Sequence, residues 1–189
     1  MSLLTEILDH NARFVAAGEY KEYLTDRLPN KKLVVLTCMD TRLVELLPRA
    51  MNFGRGDVKI IKNAGAQVSH PFGSAMRSIV VAVYELGATE VVVVGHQGCG
   101  MTGLSCESIL QKAIARGVSE QMIKTLRHAG VDLENWLRGF DSVEHSVRGS
   151  VEVIRNHPLL PRDITVHGMI IDSETGRLDL LVDGYAHAQ

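Results

Sequence analysis

Glu90-Val-Val-Val-Val-Gly-His-Gln-Gly-Cys-Gly-Met101 is the stretch around which the chain is organised. Val91 to Val94 read as a strand buried on both faces, because β-branched side chains suit the pleat and nothing polar interrupts them. Gly95, Gly98 and Gly100 then permit a tight turn and a close backbone approach, as at the carboxyl end of a parallel strand. Into that turn the chain places an imidazole, His96, and a thiol, Cys99. Three readings compete. The turn is a glycine-rich connection whose His and Cys are incidental. Or it is a phosphate loop, since Gly95 to Thr102 fits G-x-x-x-x-G-x-T, although Met101 stands where that loop needs a lysine. Or His96 and Cys99 are two ligands of a zinc ion, which requires at least one more from elsewhere.

Upstream, Leu33 to Thr37 reads as a strand, and it ends at Cys38-Met-Asp-Thr-Arg42. A cysteine at a strand's end is usually a small buried hydrophobe, and an Asp and an Arg two apart are usually a surface pair. The H-x-x-C turn after another strand changes that reading. Parallel strands of one sheet bring their carboxyl ends to the same edge. Cys38, His96 and Cys99 then meet as three protein ligands, the number found in a catalytic zinc site with an open position. A further strand, Val58 to Lys62, runs into Asn63-Ala-Gly-Ala66, a loop expected on the same edge. Cys106 lies away from any strand end and reads as an ordinary thiol. His167 is the nearest rival ligand, but it sits inside a strand; the other histidines read as structural or solvent-facing.

The remaining punctuation is consistent with an α/β chain. Residues 2–17 form an expected amphipathic helix capped by Ser2, with Leu4, Ile7, Leu8 and Phe14 or Val15 near helical spacing. Leu43 to Met51 contains a helix in which Pro48 is tolerated only at the first turn. Gly54 to Asp57 is a turn. A helix from about Gly73 to Leu86 is closed by Gly87, with Ala75, Ser78 and Ala82 as a small-residue stripe for packing on the sheet. Ser105 to Ala115 and Ser119 to Ala129 are two helices delimited by Gly117 and Gly130. Ser142 opens a longer helix with Val143, Val147, Val151 and Ile154 on one face, ended by Pro158. Ile164 to Ile171 is a strand that turns through Asp172 to Gly176 into a last strand, Leu178 to Val182. The fold class is therefore α/β: a mostly parallel sheet of about four strands plus an antiparallel edge strand, flanked by helices. One domain over residues 1–189, with residues 1–20 as a helical arm, is the expected organisation.

Composition bounds the function. Apolar residues make up 46% and net charge is −2, with acids and bases interspersed, so no basic field points to nucleic acid or a membrane surface. The longest apolar runs are too short to span a bilayer, and residues 1–10 lack the basic start of a signal peptide. Three cysteines without a disulfide-like pattern fit a reducing cytoplasm.

Cys38-x-Asp40-x-Arg42 paired with His96-x-x-Cys99-Gly100 resembles the β-class carbonic anhydrases. The similarity extends over nearly the whole chain. The Cys-Met-Asp-Thr-Arg, Gly-Asp-Val-Lys-Ile-Ile-Lys-Asn-Ala-Gly, Gly-His-x-x-Cys-Gly-Met and Val-His-Gly-x-Ile-Ile-Asp segments are similar to the short branch found in methanogenic archaea and Gram-positive bacteria. The resemblance implies one Zn2+ per chain on Cys38, His96 and Cys99, and reversible hydration of CO2 to bicarbonate by a zinc-bound hydroxide. It implies a homodimer or a multiple of dimers, with the N-terminal helix laid over the neighbouring subunit. It gives Asp40 the role of accepting a hydrogen bond from the hydroxide and Arg42 that of holding Asp40; if the pair opens, Asp40 can ligate zinc instead. Asn63, Ala64, Gly65 and Gly98 are the expected substrate-pocket residues. Gln97-Gly98 stands where archaeal members often have Thr-Asp, which removes a hydrogen bond or proton route the Asp would provide. Two alternatives share the zinc: hydrolysis of carbonyl sulfide or carbon disulfide, and a non-catalytic zinc-binding scaffold.

Overall fold

Four apolar runs become neighbouring strands. In the computed structural model, which describes residues 1–187, β1 (Leu33–Cys38), β2 (Val58–Asn63), β3 (Glu90–His96), β4 (Thr165–Ile171) and β5 (Leu178–Val182) form one sheet in the order β2-β1-β3-β4-β5. The first four run parallel and β5 pairs antiparallel with β4, as a hairpin through Asp172 to Arg177. The last two residues of the expected 1–189 span lie outside the described residues.

The valines are buried on both faces because both faces are covered. Val34, Leu36, Val91, Val93 and Val166 meet α3 (Ser74–Leu86) and α7 (Val143–Arg155). Val35, Val92, Val94 and Ile171 meet Leu43 and Leu47 of α2 (Leu43–Ala50). A fully buried valine contributes roughly 1.5–3 kcal/mol, so this double cover rather than strand propensity holds the central strands. The helix α7 lies close on β3: a Cβ on Gly95 would stand 2.7 Å from Val143 Cγ1 and Val147 Cγ2. A separate small core of Cys106, Leu110, Ile123 and Leu133 joins α4 (Cys106–Ala115), α5 (Glu120–His128) and α6 (Leu133–Leu137).

Serine caps open the helices where the sequence places them. Ser2, Ser105, Ser119 and Ser142 each accept a hydrogen bond from the backbone N–H three residues on. Two expectations fail. Pro48 sits inside α2, not in its first turn. Pro48 cannot donate to the carbonyl of Val44, an exposed residue, and burial of Leu43 and Leu47 outweighs that loss. The face of α3 on the sheet is Met76, Ile79 and Ala82, not a stripe of Ala75, Ser78 and Ala82; Ser78 is exposed and its hydroxyl donates back to the Ser74 carbonyl. A five-residue helix, α6, capped by Asp132, was not anticipated by the sequence pattern. In α1 (Leu3–Ala17) no residue is buried, and Leu3, Leu4, Ile7 and Leu8 remain more than half exposed. No helix among the described residues is long and apolar enough to cross a membrane.

Candidate metal centre

The chain leaves β1 toward β2 on one side and reaches β4 from β3 on the other, so the sheet's direction of growth reverses between β1 and β3. Parallel α/β sheets place ligands in the crevice at such a switch point, beyond the carboxyl ends of the strands. Cys38 is the last residue of β1 and His96 the last of β3. Thr37 and Val94 are paired across the two strands, and the buried Thr37 hydroxyl donates to the Val94 carbonyl at 3.0 Å, fastening the strands just below the site.

Cys38, His96 and Cys99 converge there. All three are buried, and one ligand atom from each lies within 4.8 Å of the other two. The thiols stand 3.9 Å apart. The imidazole is fixed by its own loop: Nδ1 lies 2.9 Å from the Gln97 carbonyl, which selects the tautomer with the proton on Nδ1. Nε2 is buried and has no hydrogen-bond partner, an arrangement that costs about 1–3 kcal/mol unless something else takes its lone pair. Two thiols and an imidazole nitrogen with a free lone pair form a donor set suited to a borderline-soft cation such as zinc. The loop is braced from β4, since Gln97 N–H donates to the Ile171 carbonyl and the Ser173 hydroxyl reaches the Gln97 carbonyl at 3.4 Å. Burial pushes the Cys99 thiol above its ordinary range, with Cys38 alongside adding to the effect. The Cys99 thiol therefore resists ionising without a cation beside it.

Asp40 and Arg42 sit beside this triad. Arg42 grips the carboxylate with both arms of its fork, Nε to Oδ1 at 3.0 Å and Nη2 to Oδ2 at 2.8 Å, while its backbone N–H donates to Oδ1 at 2.9 Å. The side-chain bonds from Arg42, then the backbone one, hold Asp40 well below the usual carboxylate range against the opposing effect of burial. Asp40 Oδ2 is 3.8 Å from His96 Nε2, too far for a hydrogen bond yet next to the space the triad encloses. Arg42 Nη2 also points to the Gly98 carbonyl at 3.5 Å, at the outer limit of a hydrogen bond.

A cavity of about 420 Å³ opens beside the thiols, with Cys38, Asp40, Ala64, Gly65, Cys99 and Met101 in its walls. Asn63 and Gly98 are not among its lining residues. Asn63 faces a different cavity of about 480 Å³, and its side chain closes the loop by bonding both the N–H and the carbonyl of Gln67. His167 is remote from the triad; its Nδ1 accepts from the Gly184 N–H at 3.1 Å, its Nε2 faces Glu90 Oε2 at 3.4 Å, and Tyr185 meets its ring edge-on. Met39, Met101 and Leu104 also line this cavity, and the Phe140 ring packs behind Gly65; the sequence reading assigned none of them to the pocket. Nothing local in the sequence marks Phe140, which reaches the site through a bridge between Thr102 and itself.

Comparison with known proteins places this geometry. The family model described as carbonic anhydrase matches residues 33–178. A Bacillus subtilis protein named "Putative carbonic anhydrase YtiB" is 58% identical over 185 residues, covering 98% of this chain and 99% of its own. The β-carbonic anhydrase isoform I of Trichomonas vaginalis superposes with a TM-score of 0.88 at 32% identity, over 98% of this chain and all of that one (100%). A carbon disulfide hydrolase of Acidithiobacillus thiooxidans is 29% identical, over 79% of this chain and 76% of its own. With a family model spanning both halves of the triad and a whole-chain structural match, this chain belongs to the β-class carbonic anhydrases.

Proposed function

We propose that this chain catalyses the reversible hydration of carbon dioxide to bicarbonate and a proton, with one zinc ion held by Cys38, His96 and Cys99. The observation that carries the reading is the unpartnered His96 Nε2 facing two buried thiols, with an ionised carboxylate 3.8 Å away. Among the described residues the donor set comprises three side chains, which favours a site with room for solvent over a structural one with four protein ligands. Zinc bound there would supply a Lewis acid that acidifies water, less strongly than in an all-histidine site because two thiolates cancel its charge. The rest is the work of the chain. Asp40 Oδ2 accepts a hydrogen bond from the attacking water and turns the water's lone pair toward the carbon. Arg42 keeps that oxygen ionised and aimed, because its planar fork matches the carboxylate. Its bond to the Gly98 carbonyl ties the pair to the ligand loop. Ala64, Gly65 and Met101 give the small apolar substrate a largely apolar wall.

Relatives at 58% and 59% identity carry the carbonic anhydrase name, which favours CO2 over carbon disulfide as the substrate. The buried, unpaired thiols support action in the cytoplasm, where they remain reduced. The exposed leucines and isoleucine of α1 support a homodimer or a multiple of dimers in which that helix lies over the neighbouring subunit.

Metal analysis followed by stopped-flow CO2 hydration tests the assignment. Asp40→Ala is expected to keep its zinc and lose turnover by about 10²-fold, the scale for loss of an oriented group. Cys38→Ser and His96→Ala are expected to lose the metal. Loss of zinc from Asp40→Ala would overturn the role given to that carboxylate.

A further inference from the structure

The cavity beside the thiols has one rigid wall and one adjustable wall. Ala64 and Gly65 form the rigid one. Asn63 Nδ2 donates to the Gln67 carbonyl at 2.7 Å and its Oδ1 accepts from the Gln67 N–H at 3.1 Å, so the loop between them is closed by its own side chain. A Cβ on Gly65 would lie 2.7 Å from Phe140 Cε1 and 3.1 Å from Met101 Cγ. The glycine face is therefore pressed against both side chains, and Phe140 is itself buried. Met101, lying against that glycine, lines the cavity together with Met39 and Leu104.

Met101 differs from its neighbours in how it is held. Its carbonyl accepts from the N–H groups of Phe140 at 3.2 Å and Leu104 at 3.3 Å, and a Cβ on Gly139 would overlap that carbonyl. The backbone is thus locked in place. The side chain is unbranched with three rotatable bonds, and it is only partly buried. A fixed origin with a flexible, polarisable tip gives a wall whose width one residue sets.

We propose that Met101 is a specificity-determining residue: its side chain, lying against Gly65, sets the width available to a linear triatomic substrate and so the preference for CO2 over carbonyl sulfide. The inference rests on the carbonic anhydrase reading above and adds a selectivity device to it. Carbonyl sulfide has the same linear shape with a larger atom at one end. Its hydrolysis adds water at the carbon, breaks the carbon–sulfur bond and releases CO2 and H2S, the two water protons leaving on sulfur. No oxidant or reductant is needed. An apolar pocket distinguishes substrates differing by about one methylene by roughly 10–200-fold, so opening this wall changes the ratio of the two activities on that scale.

The test uses zinc-loaded full-length protein, with CO2 hydration by stopped flow and sulfide release from carbonyl sulfide, each as kcat/KM. Met101→Ala is expected to raise the carbonyl sulfide to CO2 ratio by about tenfold or more, and Met101→Phe to lower it. A ratio unchanged within about twofold in Met101→Ala overturns the proposal, as does absence of sulfide release from both wild type and that variant. Should Met101→Ala fail to fold or to hold zinc, Leu104→Ala opens the same wall and must raise the ratio; if it does not, the proposal falls. A zinc-loaded wild type that hydrates no CO2 overturns the carbonic anhydrase reading itself, an outcome distinct from a CO2-active enzyme with an unmoved ratio.

Discussion

Replacing Gly65 by alanine measures how tightly the pocket floor is built. Gly65 sits at φ 81°, ψ 8°, in the left-handed region, where a side chain costs about 1–2 kcal/mol. The added methyl meets Phe140 at 2.7 Å, and that ring is 7% exposed and packed in one cluster with Cys38 and Cys99. It has no open space to move into, so overpacking adds about 1–3 kcal/mol. The two effects together destabilise by roughly 2–5 kcal/mol. For a chain of 189 residues each kcal/mol lowers Tm by about 2–4 °C. Gly87→Ala supplies the control. Gly87 has φ 68° with nothing within 4 Å of its would-be Cβ, so that variant bears the conformational cost alone. Urea unfolding at fixed zinc concentration, followed by far-UV circular dichroism, compares the two. Gly65→Ala is expected to be the less stable, and adding Phe140→Leu to it to cost less than the sum of the single changes, because the smaller side chain relieves the clash. If Gly65→Ala costs no more than Gly87→Ala, or if the pair with Phe140→Leu is simply additive, the floor is not tightly packed and the rigid wall assigned to the pocket is wrong.

Removing the metal is expected to destabilise the fold: at free zinc a thousandfold above Kd, binding contributes about 4 kcal/mol, and an orphaned His96 Nε2 is what it leaves behind. A melting temperature unmoved by a chelator would contradict this. Burial raises the Cys99 thiol above its ordinary range, so the metal-free protein keeps this contribution to stability below the unfolded thiol's value of about 8.5 and loses it as pH climbs through the folded value. Unfolding the metal-free protein at neutral and alkaline pH should show that loss, and Cys99→Ala should reduce it; zinc affinity should run the other way and weaken as pH falls, because the ligands must ionise. His167→Leu leaves the Gly184 N–H without its acceptor and should cost about 1–3 kcal/mol, with faster hydrogen exchange at the Gly184 amide; protection equal to wild type would show that the bond does not hold the chain there.

What could be read in advance divides along a physical line. Val91 to Val94 announced a central strand because a β-branched run without polar interruption is stable only where both faces are covered, and α2 on one side with α3 and α7 on the other cover them. Cys38, His96 and Cys99 stood out because a thiol or an imidazole at a strand's end is chemically exacting and uncommon there. Pro48 misled for the opposite reason: the rule against proline in a helix is local, and burying Leu43 and Leu47 overrides it. The small-residue stripe on α3 failed likewise, since bulkier Met76 and Ile79 fill the space against the sheet. Phe140 and Met101 lie at the far end of this scale. Each is an ordinary apolar residue. Phe140 meets Gly65 across 75 residues of sequence, and only because Gly139 lets the Met101 carbonyl in beside it. A pocket for a molecule as small and apolar as CO2 needs no side chain that a hydrophobic core would not also use. Its ligands therefore carry a signature in the sequence, while its walls become visible only when the chain has closed around them.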